Sequence, residues 1–204
     1  MKSKEIKEVY EHKVKILGEL EDLSEDGLID LYYSDESKVS LEPSVPYGWQ
    51  FPDEKVSMPT QKGNGLNCFA LLKRNNESLI ETTQENINGQ FILERLEDLS
   101  TKLKTMTVIV LDNARIHTSG IIKERIKVWQ QRGLYLFYLP RYSPHLNIVE
   151  ILWRKLKYEW LSPTDYQDKE NLFYQIRLAL TDVGQNLFIK FSKFRHTLIG
   201  LSLD

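Results

Sequence analysis

Asp35, Asp112 and Glu150 are the residues whose type and place in this 204-residue chain best suit chemistry. Asp35 lies late in the run Leu28 to Val39, where Ile29, Leu31 and Tyr33 alternate with Asp30, Tyr32 and Ser34. Alternation of this period marks a strand, and Asp35 falls on its apolar side. Asp112 follows Thr107-Val108-Ile109-Val110-Leu111. Five β-favouring residues with no polar alternation make the pattern of a central strand covered on both faces. A carboxylate on the core side of a strand is costly unless it is paired or holds a cation. Two such acids therefore point to a metal site, with turn formation or helix capping as the ordinary alternative. On a helix of about 100° per residue, Val149, Leu152, Trp153, Leu156 and Trp160 form one apolar stripe, and Glu150, Arg154, Lys157 and Leu161 a neighbouring one. Glu150 then looks sideways into a cleft lined by Arg154 and Lys157. A surface Glu150–Arg154 pair at i,i+4 is the alternative.

The elements that must position these acids follow from periodicity and punctuation. Ile6, Val9, Tyr10, Val14, Leu17 and Leu20 have helical spacing, and Ser24-Glu25-Asp26-Gly27 closes that helix. Its apolar face is expected to pack on the sheet, or else to form a dimer contact. Pro43, Pro46, Gly48 and Pro52 break the next stretch into turns and a short strand, and Gln61 to Gly65 reads as a hairpin connection. Cys68 to Leu72 and Ser78 to Thr83 read as strands, and Asn88 to Leu103 as a helix. After Asp112, Thr118 and Ser119 are candidate caps of a helix running to about Gln131, which Gly133 stops. Leu134 to Leu139 reads as a strand ended by Pro140, with a loop to His145 and helices over about 146–161 and 169–183. Early strands followed by helix–strand alternation imply an α/β domain with a mixed sheet and helices on its faces.

Composition narrows the function classes. With 41% hydrophobic and 27% charged residues the chain suits neither a disordered nor a coiled-coil class. One cysteine excludes an intramolecular disulfide framework and a multi-cysteine zinc site. No apolar run is long enough for a membrane span, and the charged N-terminus is not a signal peptide. The net charge of −2 hides a gradient: residues 1–112 hold 13 Lys+Arg against 21 Asp+Glu, whereas residues 113–204 hold 14 against 8. The second half is thus the one suited to a polyanion, although the chain is not basic enough for a dedicated DNA-binding domain.

Three strings carry a family resemblance. Val108-Ile109-Val110-Leu111-Asp112-Asn113-Ala114-Arg115-Ile116-His117-Thr118-Ser119 resembles the second motif of the DDE transposases, in particular the mariner-like group and its bacterial insertion-sequence relatives. Leu139-Pro140-Arg141-Tyr142-Ser143-Pro144-His145-Leu146-Asn147-Ile148-Val149-Glu150-Ile151-Leu152-Trp153 resembles the third, where a Tyr-Ser-Pro-x-Leu-Asn-Pro-x-Glu run carries the last acid. Tyr33-Ser34-Asp35-Glu36-Ser37 resembles the first. They occur in family order, 77 and 38 positions apart at the acids. The resemblance covers about residues 28–160, and Trp49 and the last helix also fit the layout. Ile148 departs from the usual Pro, and the N-terminal helix-turn-helix region that reads transposon ends is not found.

The resemblance implies a ribonuclease-H-like fold: a mixed five-stranded sheet flanked by helices, with residues 1–26 a linker helix, 27–186 the catalytic domain and 187–204 a tail. It implies phosphodiester hydrolysis followed by strand transfer, with Asp35, Asp112 and Glu150 holding two Mg²⁺ ions, for which Mn²⁺ substitutes. Asp35 would bridge the ions. Arg154, Lys157, Arg141 and His117 are the expected nucleic-acid contacts, beside structural readings of each. Asn113 is expected either to orient Asp112 or to form an Asx turn. The implied partners are DNA, as transposon ends and target, and either a second copy of the chain or a separate helix-turn-helix part. The implied location is the cytoplasm, at the nucleoid if the source is bacterial. As the second half of a transposase, the chain would be a second-frame product or a truncation. A silent remnant or regulatory subunit and a stand-alone nuclease of the same fold are the alternatives.

Overall fold

The computed structural model describes residues 2–42 and 65–192. The short strand and turns expected within 43–52, Trp49, most of the connection at 61–65, and residues 193–204 lie outside them. The apolar run Leu31-Tyr32-Tyr33 and its polar continuation make β1 (Asp30–Ser40), which pairs antiparallel with β2 (Gly65–Leu72), itself antiparallel to β3 (Ser78–Thr83). On its other side β1 runs parallel to β4 (Thr107–Leu111), which runs parallel to β5 (Leu134–Tyr138). The order is β3-β2-β1-β4-β5, a mixed five-stranded sheet. Parallel neighbours require crossover connections, and α2 (Gly89–Ser100) and α3 (Gly120–Gln131) supply them.

Two apolar layers sandwich the sheet. On one face α1 (Lys2–Glu25), α4 (Val149–Lys155) and α5 (Lys169–Thr181) bury Leu17, Leu152, Trp153, Phe173 and Ile176 against Leu31, Tyr33 and Val110. On the other, α2 and α3 bury Ile92, Leu96, Ile122 and Trp129 against Tyr32, Phe69 and Ile109. Both faces of β1 are therefore covered where it runs beside β4, and its polar side chains Ser34, Asp35, Glu36 and Ser37 follow in mid-strand before Val39 returns to the core. Truncating Trp129, which is fully buried, to Ala would cost about 3–5 kcal/mol through lost transfer energy and the cavity left behind.

Local chemistry departs from expectation at four places. The helix after Glu150 is not uniform: α4 passes into a π-turn at Leu156–Trp160, and the Leu161 amide bonds Leu156 O, five residues back. The wider turn re-phases the chain, so Leu161 is buried rather than lying on the charged stripe. Ser119 stands at the N-cap of α3 without a capping bond, because its Oγ donates to Ile116 O at 3.1 Å while Thr118 Oγ1 donates to Ala114 O at 3.1 Å. Residues 187–192 are docked: Asn76 takes the Ile189 amide at 2.7 Å and donates to Ile189 O at 3.0 Å, and Ile189 is buried. A Cβ on Gly184 would come within 2.5 Å of Asn76 O, so only glycine allows this approach. The C-terminal half of α1 buries Leu17, and its Lys13 donates to the carbonyls of Tyr138 and Leu139, while Ile6 and Val9 are exposed.

Candidate active site

The parallel pairing of β1 and β4 has a constant offset, Asp30↔Thr107 through Tyr33↔Val110. Carried two residues further, that register sets Asp35 beside Asp112. Register partners on adjacent strands share a face, and here it is the face of Tyr33 and Val110, against which α4 packs. Glu150 lies in the first turn of α4. Ahead of it, Asn147 fixes the helix start: its Nδ2 donates to Ser34 O at 2.9 Å, and its Oδ1 accepts from the Val149 amide at 3.1 Å. Ile148, which replaces the usual proline, is buried and leaves this anchoring intact. The three acids thus come from strand, strand end and helix start to line one open cavity of about 660 Å³, together with Asn113, Arg115, Arg141 and Tyr142.

The carboxylates differ in state. Burial first, then the charges of Glu150, Glu36 and Asp112, push Asp35 up to about 7. Trp153, read from the sequence only as core, donates its indole N–H to Asp35 Oδ2 at 3.1 Å. Asp112 is held below the usual carboxylate range, chiefly by a hydrogen bond from His117, aided by the Ala114 amide. No three His, Cys, Asp or Glu side chains among the described residues stand as a ready-made metal cage. The donor set is nevertheless one of hard oxygens, which suits Mg²⁺ or Mn²⁺, and the mutual repulsion that raises Asp35 is what a divalent cation would remove.

His117 is placed differently from the expected nucleic-acid contact. It is 1% exposed and donates from Nδ1 to Asp112 Oδ1 at 2.7 Å and from Nε2 to Glu36 Oε1 at 3.0 Å. Burial alone would lower its pKa, but the bonds to Asp112 and Glu36 raise it to about 9. The imidazolium therefore clamps Asp112 from behind and has no free nitrogen for DNA. Glu36, the fourth acid, was not singled out in the sequence because it lies 81 positions from the ring it meets. Asn113 does not reach Asp112 with its amide; it donates to Leu139 O at 2.5 Å and ties the ends of β4 and β5 together. Lys157 donates to Ser37 Oγ at 2.7 Å, and Arg154 and Lys157 line a second groove of about 630 Å³ that shares Glu150 with the first. Glu150 forms no ion pair with Arg154 among the described residues; the i,i+4 pair on this helix is Lys155–Glu159.

The arginines divide cleanly. Arg74, Arg95, Arg125, Arg132 and Arg177 are bound within the fold, to Glu21, Glu81, Glu97, Glu97 and Thr82. Arg115, Arg141 and Arg154 have no side-chain partner among the described residues, and these three line the grooves around the acids. Arg115 is absent from the expected contacts, and its sequence signal is its place three residues after Asp112.

Residues 30–173 match the DDE superfamily endonuclease family. The insertion element IS630 uncharacterized 39 kDa protein of Shigella sonnei is 28% identical over 130 residues, 62% of this chain and 37% of that protein. The Mos1 mariner paired end complex with Mn superposes with a TM-score of 0.55 at 14% identity, over 84% of this chain and 58% of that one. The simian T-cell lymphotropic virus intasome in complex with PP2A regulatory subunit B56 gamma gives 0.54 at 13% identity, over 80% and 51%. The fold is ribonuclease-H-like, as expected. The chain spans little more than a third of the insertion-element protein and just over half of these structural relatives.

Proposed function

The chain belongs to the DDE superfamily endonucleases, and from that premise we propose that it is a transposase catalytic domain that cuts DNA strands and joins the freed end to target DNA. One observation carries the reading: three carboxylates from separate elements share a cavity with Arg115 and Arg141, and Arg154 lines the adjoining groove that shares Glu150, all three arginines lacking a side-chain partner among the described residues. Acids that repel each other call for a cation, and bare guanidiniums call for an anion such as phosphate. Asp35, Asp112 and Glu150 would together hold two Mg²⁺ or Mn²⁺ ions. Bound there, such ions supply activation of an attacking oxygen and charge neutralisation at a leaving one. Trp153 and the Glu36–His117 pair fix the orientations of Asp35 and Asp112. Arg115, Arg141, Arg154 and Lys157 would hold the DNA backbone on either side of the acids. Hydrolysis and joining are both displacements at phosphorus, so no serine or tyrosine nucleophile is required.

On this reading residues 27–186 are the catalytic body, with residues 1–26 a connecting helix and 187–204 a C-terminal tail. Recognition of transposon ends would come from a helix-turn-helix part or from assembly with a second copy. The protein would act on DNA in the cytoplasm. The test is calorimetric titration of Mg²⁺ and Mn²⁺ into wild type and Asp112→Ala with short DNA present, nicking being scored on the same samples. Metal binding and nicking that both disappear in the variant are expected. Absence of metal binding in wild type would overturn the proposal and favour a silent remnant.

A further inference from the structure

Two non-glycine residues among those described have a positive φ, Asn76 at 70° and Tyr142 at 58°. Asn76 is explained. Asparagine tolerates the left-handed region, and the conformation lets its buried amide take both backbone groups of Ile189. Tyr142 has no such compensation. A bulky aromatic is a poor occupant of this region, its side chain is 98% exposed, and neither its ring nor its hydroxyl meets another group among the described residues.

The conformation is nonetheless imposed firmly. Pro140 and Ser143 on either side are buried. Ser143 Oγ donates to Arg141 O at 3.3 Å, and the turn that begins at Pro144 is closed by the Leu146 and Asn147 amides. A rigid loop thus holds one bare aromatic ring outward at the rim of the cavity lined by Asp35, Asp112 and Glu150, next to the unpartnered Arg141. Uncompensated backbone strain of this kind collects at functional positions.

We propose that Tyr142 is a nucleobase-stacking residue: its ring receives the face of an unpaired base beside the phosphate that the cavity acts on. This rests on the proposed action on DNA and adds to it the state of the substrate. In an intact duplex both faces of each internal base are already stacked, so a protruding ring finds a free face only on a strand end, a single strand or a base turned out of the helix. Arg141 would hold the adjoining phosphate. Stacking is tolerant of base identity, so the residue would select for unpaired structure over sequence.

The test compares wild type with Tyr142→Phe, Tyr142→Ala and Tyr142→Gly. The probes are a single-stranded oligonucleotide carrying 2-aminopurine and the matching sequence within a closed circular duplex that has no strand ends, both in Ca²⁺, with Mn²⁺-dependent nicking and thermal melting measured in parallel. Tyr142→Ala is expected to weaken single-strand binding roughly 5- to 100-fold, to abolish the 2-aminopurine signal change, and to leave internal duplex binding within about 2-fold. Tyr142→Phe should retain wild-type behaviour. Tyr142→Gly should melt higher than wild type, since the strain is removed, while binding as weakly as Tyr142→Ala. Those opposite signs separate stacking from a folding defect. A wild type that nicks while Tyr142→Ala binds single strands equally well overturns the stacking role alone. A wild type that neither binds DNA nor nicks overturns the proposed function and this inference with it. A change of oligomeric state in Tyr142→Ala, without loss of DNA affinity, would make the ring a subunit contact and overturn the inference.

Discussion

At the α2–α3 contact, Glu97 accepts from Arg125 at 2.5 and 3.0 Å, from Arg132 at 2.6 Å and from the Trp129 indole at 2.9 Å. These bonds hold it down at about 2. Between the sheet and α4, Asp35 is pushed up to about 7 by burial and by other acids, while Arg115, Arg141 and Arg154 nearby have no side-chain partner among the described residues. Both regions contain carboxylate and guanidinium. In one the charges are matched to each other by the fold. In the other they are kept apart and left to be matched from outside. The first arrangement holds helices together, and the second fits the cation and polyanion of the proposed function.

That contrast can be broken by substitution, and the largest effect belongs at the unmatched site. Glu150→Gln should lower Mn²⁺-dependent nicking by roughly three orders of magnitude or more while leaving the melting temperature near wild type, whereas Asp112→Ala should lower nicking as much and also destabilise by about 1–3 kcal/mol, because it leaves the buried His117 Nδ1–H without its acceptor. Next in size is a stability gain at Asp35. Its folded pKa of about 7 lies above the ordinary 3.8, so its contribution is intact below pH 3.8 and is lost as pH rises through about 7. Asp35→Asn without metal should therefore match wild type near pH 3.5 and exceed it by a few kcal/mol at pH 8. Adding Mg²⁺ should raise the wild-type melting temperature and not that of the variant.

The matched region should respond in the opposite sense. Glu97→Ala leaves the buried Trp129 indole N–H without its acceptor and should destabilise by about 1–3 kcal/mol, with nicking per folded molecule unchanged. The arginines then separate the two regions at finer scale. Removing Arg115, Arg141 or Arg154 singly should leave stability within about 0.5 kcal/mol. Each loss should reduce DNA affinity several-fold and flatten the log–log salt dependence by roughly 0.7–0.9 per lost phosphate contact. His117 returns to the scale of Asp35: its folded pKa of about 9 lies above 6.5, a difference worth a few kcal/mol. Its contribution to stability is full below pH 6.5 and lost as pH rises through about 9, and a pH series of His117→Asn melts should lack that decline.

Period and punctuation made most of the frame legible in advance. Each strand from β1 to β5 and the helices α2, α3 and α5 showed as runs of β-formers or as 3.6-residue stripes, with Asn88 capping α2 as its type suggests. Asp112 and Glu150 were legible because they end or begin such runs, and Asp35 because it falls on the apolar side of a strand. What was hidden depends on contacts distant in sequence or on backbone detail that composition does not encode. Glu36 acquires meaning only through His117, from the next strand's loop. Ile189 is held by Asn76, 113 positions away. Trp153 obeys the apolar stripe and still uses its indole N–H on Asp35. The π-turn at Leu156–Trp160 has the same residue types as the α-helix expected there, and the strain at Tyr142 leaves no trace in residue type at all.

The side-by-side register of β1 and β4 sets a timing on the site. Asp35 and Asp112 become neighbours only when a loop of 77 positions closes, and Glu150 joins only after α4 docks. Closing long loops is slow relative to forming local structure. During synthesis, every nascent chain shorter than about residue 150 carries at most two of the three acids, and the sheet edge that must receive β4 has no partner before Leu111 emerges. On the proposed function, cutting competence would arrive late and all at once, as a property of the completed domain, and the lag between translation and nicking should follow docking of α4 rather than formation of the first hairpin.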